Sequence, residues 1–444
     1  MASHYVVRDG RGVSVQHHLY QGHDIYLCVN CPSGGRAAIY APTLHLLADC
    51  PSPSKGPGPA VLADILADSP ALQEKLSEGV AKWPLLRHQR KRTPQFFPLS
   101  IGLTRDCSLN CVYCHADAGM QRHIDTTLIT DSLYYAIRAI RERNLKGLHV
   151  SFAVGGEPTL PWKDFQLFVD AVNRAAREHD IEVYKSITTN GFYGKEKREY
   201  ITANFDTILL SFDGPEPIQN RLRPCKSGRP SFATVLETAQ YFTQYQDKFA
   251  VRATLPKSSL AHVKEIIYLF KNDVGLRRNH DAVLEPMIGI GRGAKTSETP
   301  PTGEEFAHAF WEARQYGRSL DVNVKSSAFN ANRLVATFCH AMSIPSFSVT
   351  TDGRITACER DCEGTDYCYG QYDFESREFV LDKTAMEHNI ACAEPPTYCG
   401  ECLCKWHCAG DCPDTRRFGF DRCDGNRYLL VSYMEELLGS DFRE

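Results

Sequence analysis

The sequence predicts an α/β protein built on a parallel sheet curled into a full or partial barrel. Two observations carry the prediction. From Leu99 to about Ser319 six apolar strands recur, "LSIGL", "LHVSFAV", "EVYKSITT", "DTILLSF", "FAVRATL" and "AVLEPMI". Between them run helical periods, such as Leu133, Ile137 and Ile140 behind an N-cap at Thr130, and Phe165, Phe168, Val169 and Val172. Six β/α units in series give a parallel sheet whose right-handed crossovers place helices on its outer face. In such barrels the chemistry gathers in loops after the C-terminal strand ends.

The elements around this core follow in order. Residues 1–50 read as short strands ("YVVRD", "VSVQHHLY", "DIYLCV", "RAAIYA") with turns between them. The linker "PSPSKGPGPA", Pro51 to Ala60, precedes a helix predicted to about Trp83. Residues 1–90 are thus expected to form a small strand-rich, winged-helix-like module, residues 97–320 the barrel and residues 335–444 a third unit. The basic run Arg87, Arg90, Lys91 and Arg92 reads as a solvated linker. Beyond about Val335 the helical period is lost, glycine and cysteine rise, and strands shorten to "FSVTT" and "REFVL". A segment so poor in apolar core folds readily if metal orders it.

Composition bounds the function. The chain has 444 residues, enough for two to four domains at ~150 each. Its 43% hydrophobic and 23% charged content is that of a soluble globular protein. A net charge of -4, spread along the chain, implies no affinity for nucleic acid or anionic membrane. "MASHYVVRDGRG" lacks the apolar core of a signal peptide, and no run approaches the ~18 apolar residues of a membrane span, so a cytoplasmic protein is expected. Eighteen cysteines are the anomaly, ten of them between Cys358 and Cys423. In a long reduced chain that density points to metal ligation before disulfides.

The stretch "TRDCSLNCVYCHAD" follows the first barrel strand and sets Cys107, Cys111 and Cys114 at C-x3-C-x2-C, with Tyr113 before the third. Thiolates suit zinc or iron–sulfur clusters. Three ligands leave one iron of a 4Fe-4S cube open, as a catalytic zinc keeps one position free. "GIGRGA", Gly289 to Ala294, fits a dinucleotide fingerprint, but a Pro-rich loop follows it where a helix should start, so that reading fails.

On these residues the chain resembles the radical S-adenosylmethionine (SAM) superfamily, whose C-x3-C-x-Φ-C loop follows the first strand of a partial (β/α)6 TIM-like barrel. The resemblance implies SAM chelated at the open iron and cleaved by one electron to methionine and a 5'-deoxyadenosyl radical. It extends to "GGEPTL", where Gly155, Gly156, Glu157 and Pro158 match the motif at the SAM amino group. Thr189 and Asn190 in "TTNG", and Ser211 and Asp213 in "LLSFDGP", match ribose and pocket positions, with Asp213 counted among the catalytic residues. Arg252 alternates with Val251 and Ala253 and would suit the SAM carboxylate.

The C-terminal cysteines resemble the SPASM module of radical SAM enzymes that modify peptides and proteins. Cys399-x2-Cys402-x5-Cys408-x3-Cys412 and Cys423 follow Cys339, Gly353 and Cys358. The resemblance implies an outer auxiliary cluster on Cys399, Cys402, Cys408 and Cys423, and an inner one on Cys339, Cys358 and Cys412, giving three 4Fe-4S clusters in all. A zinc-ribbon cap is the alternative. The inner site lacks the usual fourth cysteine; it is open, or closed by Cys362, Cys368 or Cys404. Cys50, Cys225 and Cys392 read as small buried hydrophobes. Cys28 and Cys31 read as non-catalytic, with a redox or zinc role as the other option. Glu359, next to Cys358, resembles the acid that serves as base in sulfatase-maturing relatives; a plain surface carboxylate is the bland alternative.

The resemblance implies a maturase that forms an oxidative carbon–carbon or carbon–heteroatom crosslink (cyclophane, ether or thioether) in a ribosomally made precursor peptide. A flavodoxin or ferredoxin would supply electrons. The module at 1–90 would capture the precursor as an added strand, or serve as a structural lid. The second expectation is an anaerobic sulfatase-maturase-like enzyme that oxidises Cys or Ser to formylglycine, and the third a non-enzymatic iron–sulfur scaffold or redox sensor. Relatives of the second kind usually begin close to the cysteine loop, whereas about 98 residues precede the first barrel strand here.

Overall fold

A strand that alternates apolar and polar residues buries one face, whereas one that is apolar at successive positions buries both; the first sheet of this protein is of the second kind. The structure is a computed structural model that describes residues 3–8, 11–31, 37–50, 61–90, 95–327, 329–330, 333–420 and 422–438. The predicted linker at 51–60, with Lys91 and Arg92, lies outside the described residues. The first sheet is an antiparallel meander of β1 (Ser3–Arg8), β2 (Arg11–Tyr20), β3 (His23–Cys31), β4 (Ala37–Ala41) and β5 (Leu46–Cys50), adjacent in that order. Helices α1 (Val61–Asp68) and α2 (Pro70–Arg90) follow. The second helix runs past the predicted end at Trp83, so the backbone of Arg87 and Arg90 is helical, not linker.

Ile25, Leu27, Ala37 and Ile39 of the meander pack on Leu62, Ile65, Leu72 and Leu76 of the two helices. Val13, Val15, Tyr26, Cys28 and Tyr40, at alternate positions, join the main core instead. Both faces of this sheet are therefore covered. The second face sits on the cysteine-rich loop: Tyr26 Oη donates to the Cys402 carbonyl at 2.8 Å. Trp406 Nε1 donates to Asp24 Oδ2 at 2.8 Å, and the Tyr40 hydroxyl bonds the His407 ring. Cys28 is one of these docking residues, while Cys50 packs towards the helices.

The second sheet carries the barrel strands β6 (Phe96–Ile101), β7 (Gly147–Phe152), β8 (Glu182–Thr189), β9 (Thr207–Ser211), β10 (Phe249–Leu255) and β11 (Asp281–Pro286). They are all parallel and adjacent in chain order, with α3 (Thr126–Glu142), α4 (Trp162–His179), α5 (Lys195–Asn204), α6 (Glu216–Leu222), α7 (Phe232–Tyr245) and α8 (Val263–Asn272) in the crossovers. After α9 (Gly303–Ser319) comes a seventh parallel strand, β12 (Asn323–Lys325), too short to stand out in the sequence. The cap of α3 differs from the expectation: Asp125 Oδ1 accepts from Thr127 N at 2.7 Å, while Thr130 lies inside the helix and donates back to the Thr126 carbonyl. A carboxylate ahead of the first turn satisfies an orphan amide, and mid-helix threonine uses its hydroxyl this way.

Among the described residues the C-terminal region forms no sheet of its own. Its strands β13 (Phe347–Val349), β14 (Arg354–Thr356), β15 (Cys368–Asp373) and β16 (Glu378–Leu381) extend the barrel sheet beyond β6. Strand β13 pairs parallel to β6, Phe347 against Leu99 and Val349 against Ile101. The lost helical period also misses a helix, Cys423–Leu437, which buries Tyr428, Leu429, Leu430 and Val431. Among the described residues no helix is long and apolar enough to cross a membrane.

Candidate active site

Leu99, Val150, Ile208, Val251 and Leu284 on the parallel strands are buried against the helices. The alternate positions face the barrel interior and are mostly polar, Ser100, His149, Ser186, Ser211, Arg252 and Glu285, with Leu209, Ala250 and Val283 between them. Ser211 and Arg252 are register neighbours on β9 and β10. A lumen with this lining is a site for a polar ligand, since an unfilled core would be apolar.

The three-cysteine loop sits over the C-terminal end of β6. The loop after β7 reaches it through backbone: Gly156 N donates to Thr104 O at 2.7 Å and Glu157 N to Asp106 O at 2.9 Å. A Cβ on Gly156 would lie 1.9 Å from the Asp106 carbonyl oxygen, so only glycine allows this approach. The glycine therefore serves contact with the cysteine loop itself. Pro158 is buried beyond it. Glu157 is buried and accepts from Thr159 N and Oγ1, Thr189 Oγ1 (2.9 Å) and Asn190 N (2.8 Å), which ties the β7 loop to the β8 loop. Burial raises its pKa despite these donors.

Asp213 is fully buried between three anchors. The Tyr113 hydroxyl donates to Oδ2, Arg223 Nε donates to the same oxygen at 3.0 Å, and Thr254 N donates to Oδ1 at 3.0 Å. With its oxygens so engaged, Asp213 holds the cysteine loop to β9 and β10, and its geometry is that of a positioning residue. Nothing in the local sequence singles out Arg223, whose guanidinium also lies 5.3 Å from the Tyr113 ring.

The glycine run dismissed as a dinucleotide motif belongs to this site. It follows β11, and a Cβ on Gly291 would lie 2.4 Å from the His115 carbonyl oxygen. Arg292 N donates to Cys114 O at 2.9 Å and Arg292 Nη1 to Cys111 O at 2.9 Å, clamping the loop from the far side. Its place after the last long barrel strand was the available clue.

The thiols test what the loop can hold. Asn190 Nδ2 lies 3.5 Å from Cys107 Sγ, Arg223 Nη1 3.9 Å from Cys111 Sγ, and Ala118 N 3.5 Å from Cys114 Sγ. One N–H aimed at each sulfur suits thiolates, so the donor set fits a 4Fe-4S cluster on three cysteines. Burial pushes Cys107 up to about 11 and Cys111 up to about 12, so ionisation there waits for the charge of a metal. Among the described residues no three His, Cys, Asp or Glu side chains close on a point as one ion requires, a geometry that a cube with one thiolate per iron does not need. Desolvation first, then Arg360, Arg252 and Arg105, lower the pKa of His115 to about 3.

The other predicted thiols fall into two groups. Cys412 is within electrostatic reach of both Cys339 and Cys358. Cys399, Cys402 and Cys408 are near one another, and Arg427 is near Cys402 and Cys423. Cys404 is buried among this second group, beside Cys402 and Cys408. Cys362 packs instead with Ala116, Ala118 and Val154 against Cys107 and Cys114, and Cys368 Sγ lies 3.2 Å from the Gly370 carbonyl. Glu359 is half-buried between the lumen and the first group: Ser100 Oγ donates to Oε1 at 2.7 Å, and His149 and Cys339 feel its charge. Cys225 is buried against Ser108, and Cys392 lies 3.6 Å from the His388 ring. The side chain of Cys31 lies outside the described residues.

Known proteins match this arrangement. Residues 101–269 match the family model described as Radical SAM superfamily. The cysteine-type anaerobic sulfatase-maturating enzyme of Clostridium perfringens is 28% identical over 183 residues, which cover 39% of this chain and 49% of that enzyme. The serine-type enzyme of Klebsiella pneumoniae is 22% identical over 364 residues, 79% of this chain and 89% of its own. Native anSMEcpe with bound AdoMet and Cp18Cys peptide superposes with a TM-score of 0.58 at 19% identity, over 78% of this chain and 96% of that one. Streptococcus suis SuiB bound to precursor peptide SuiA gives 0.52 at 17%, over 80% and 83%. The chain carries a radical SAM domain, homologous to anaerobic sulfatase-maturating enzymes. That domain implies a 4Fe-4S cluster and SAM. The chain spans about half the length of the Clostridium relatives it matches.

Proposed function

We propose that the protein is a radical SAM enzyme that oxidises a residue of a peptide or protein, with the cluster on Cys107, Cys111 and Cys114. The bound cluster and SAM supply a 5'-deoxyadenosyl radical; the chain supplies position, dryness and a base. The observation that carries the reading is the polar lumen capped by the three-thiol loop, with Glu359 on its wall. Arg252 is placed to meet a carboxylate, and Ser211 beside it a sugar hydroxyl. Glu359, oriented by Ser100, is placed to take a proton from the oxidised residue. The two further thiol groups would hold auxiliary clusters that accept the second electron.

The substrate we favour is a ribosomally made precursor peptide in which a crosslink forms. The module at 1–90 supports this reading: its faces are covered, but among the described residues β5 pairs with β4 alone, which leaves an edge for an added strand. Formylglycine formation is the second reading, favoured by homology to the Clostridium enzymes. Anaerobic, reconstituted protein with SAM, dithionite and candidate peptides tests both. Deoxyadenosine must form. A product that loses two hydrogens, keeps its sulfur and resists aldehyde reagents supports the crosslink; an aldehyde supports formylglycine. No deoxyadenosine with any peptide overturns the proposal.

A further inference from the structure

The three thiol groups share a device. Arg223 Nη1 lies 3.9 Å from Cys111 Sγ and is held by Asp213 at 3.0 Å. Arg360 Nη1 lies 3.7 Å from Cys412 Sγ and 3.4 Å from Asp414 Oδ2. Arg427 lies within electrostatic reach of Cys402 and Cys423, and its Nη1 donates to Asp424 Oδ1 at 2.7 Å. Each group thus has one arginine beside its thiols and one aspartate on that arginine. The three come from unrelated elements, the loop after α6, the loop after β14 and the C-terminal helix, so the repetition is no by-product of one fold motif.

Reduction of an iron–sulfur cube adds negative charge, which spreads onto the thiolate sulfurs. A guanidinium donating to one of them favours the reduced state, and the effect grows as solvent is excluded. Of the three side chains, Arg223 is 8% exposed, Arg427 20% and Arg360 30%. The aspartates fix the forks in place.

We propose that Arg223, Arg360 and Arg427 are positioning residues that each raise the reduction potential of one cluster, Arg223 most strongly because it is the most buried. The inference rests on the reading of the C-terminal cysteines as two auxiliary cluster sites; its Arg223 part rests on the three-cysteine loop alone.

The test is a redox titration of the anaerobic holoprotein followed by electron paramagnetic resonance, for the wild type and for R223Q, R360Q and R427Q, with iron and sulfide counted in each. Every variant is expected to lower the potential of one cluster and leave the others unmoved. The expected size for Arg223 is about tenfold in the reduced-to-oxidised ratio, which is 59 mV for one electron. R223K, which keeps the charge without the fork, is expected to fall between and guards against loss of the cluster in R223Q. Unmoved potentials in R223Q or R223K, or a shift shared by all clusters, overturn the proposal. Iron for only one cube refutes the auxiliary sites, and the Arg223 result then still decides the remaining part.

Discussion

Replacing Asp213 with alanine should unfasten the cysteine loop from the barrel, and its cost can be worked from the geometry. The Asp213 carboxylate is 0% exposed and its partner Arg223 is 8% exposed, so water screens neither. Removing one member of such a pair leaves an uncompensated buried charge, a loss of about 3–5 kcal/mol. The Tyr113 hydroxyl and the Thr254 amide lose their acceptor in the same step, which moves the expectation to the upper end of that range. Adding Arg223→Met removes the orphaned cation and should restore about half of the loss. The assay is urea unfolding of the metal-free protein under reducing, anaerobic conditions, for both single variants and the double. A cost below about 1 kcal/mol for D213A, or a double variant as unstable as the sum of the singles, would refute the triad as the fastening. A catalytic Asp213 would give the opposite pattern, with stability intact and turnover lost.

Other outcomes follow from the same contacts. G156A should lose iron-binding capacity and about 2 kcal/mol of stability, because a Cβ 1.9 Å from the Asp106 oxygen drives the two loops apart and breaks two backbone hydrogen bonds; full iron content on reconstitution would contradict this. E359Q should cleave SAM at close to the wild-type rate while product falls at least about tenfold, as loss of a base predicts; equal loss of deoxyadenosine and product would place Glu359 in SAM binding instead. Asp131, held below the usual carboxylate range first by its bond from Arg377 and then by that from Tyr372, ties α3 to the turn after β15. Its depressed pKa stabilises the fold above the ordinary aspartate value and that contribution is lost as pH falls through the lowered one. In D131N the acid limb of the stability–pH curve should flatten; an unchanged limb would remove Asp131 as a contributor.

The barrel strands were legible because each is an apolar run of ordinary length between turn-forming residues, and the three-cysteine loop because its spacing has few other uses. What escaped detection did so for physical reasons. Strand β12 is held by pairing with β11, not by its own composition. The pairing of β13 with β6 joins residues some 250 positions apart, beyond any local pattern. Arg223 and Arg292 look like surface residues in sequence, and only the tertiary fold turns their guanidinium groups onto the cysteine loop. The "GIGRGA" stretch read in sequence only as a failed dinucleotide fingerprint, because the loop it approaches lies about 175 residues earlier.

That β13 continues the barrel sheet from β6 has a consequence for engineering. The cysteine-rich region cannot be exchanged as a cassette, since cutting it away bares the ladder edge of the first barrel strand, the same strand that leads into the cysteine loop. A graft of the C-terminal region from another enzyme would have to bring a strand that matches Leu99 to Ile101 in register, or the donor clusters would hang beside a barrel whose own loop had lost its footing.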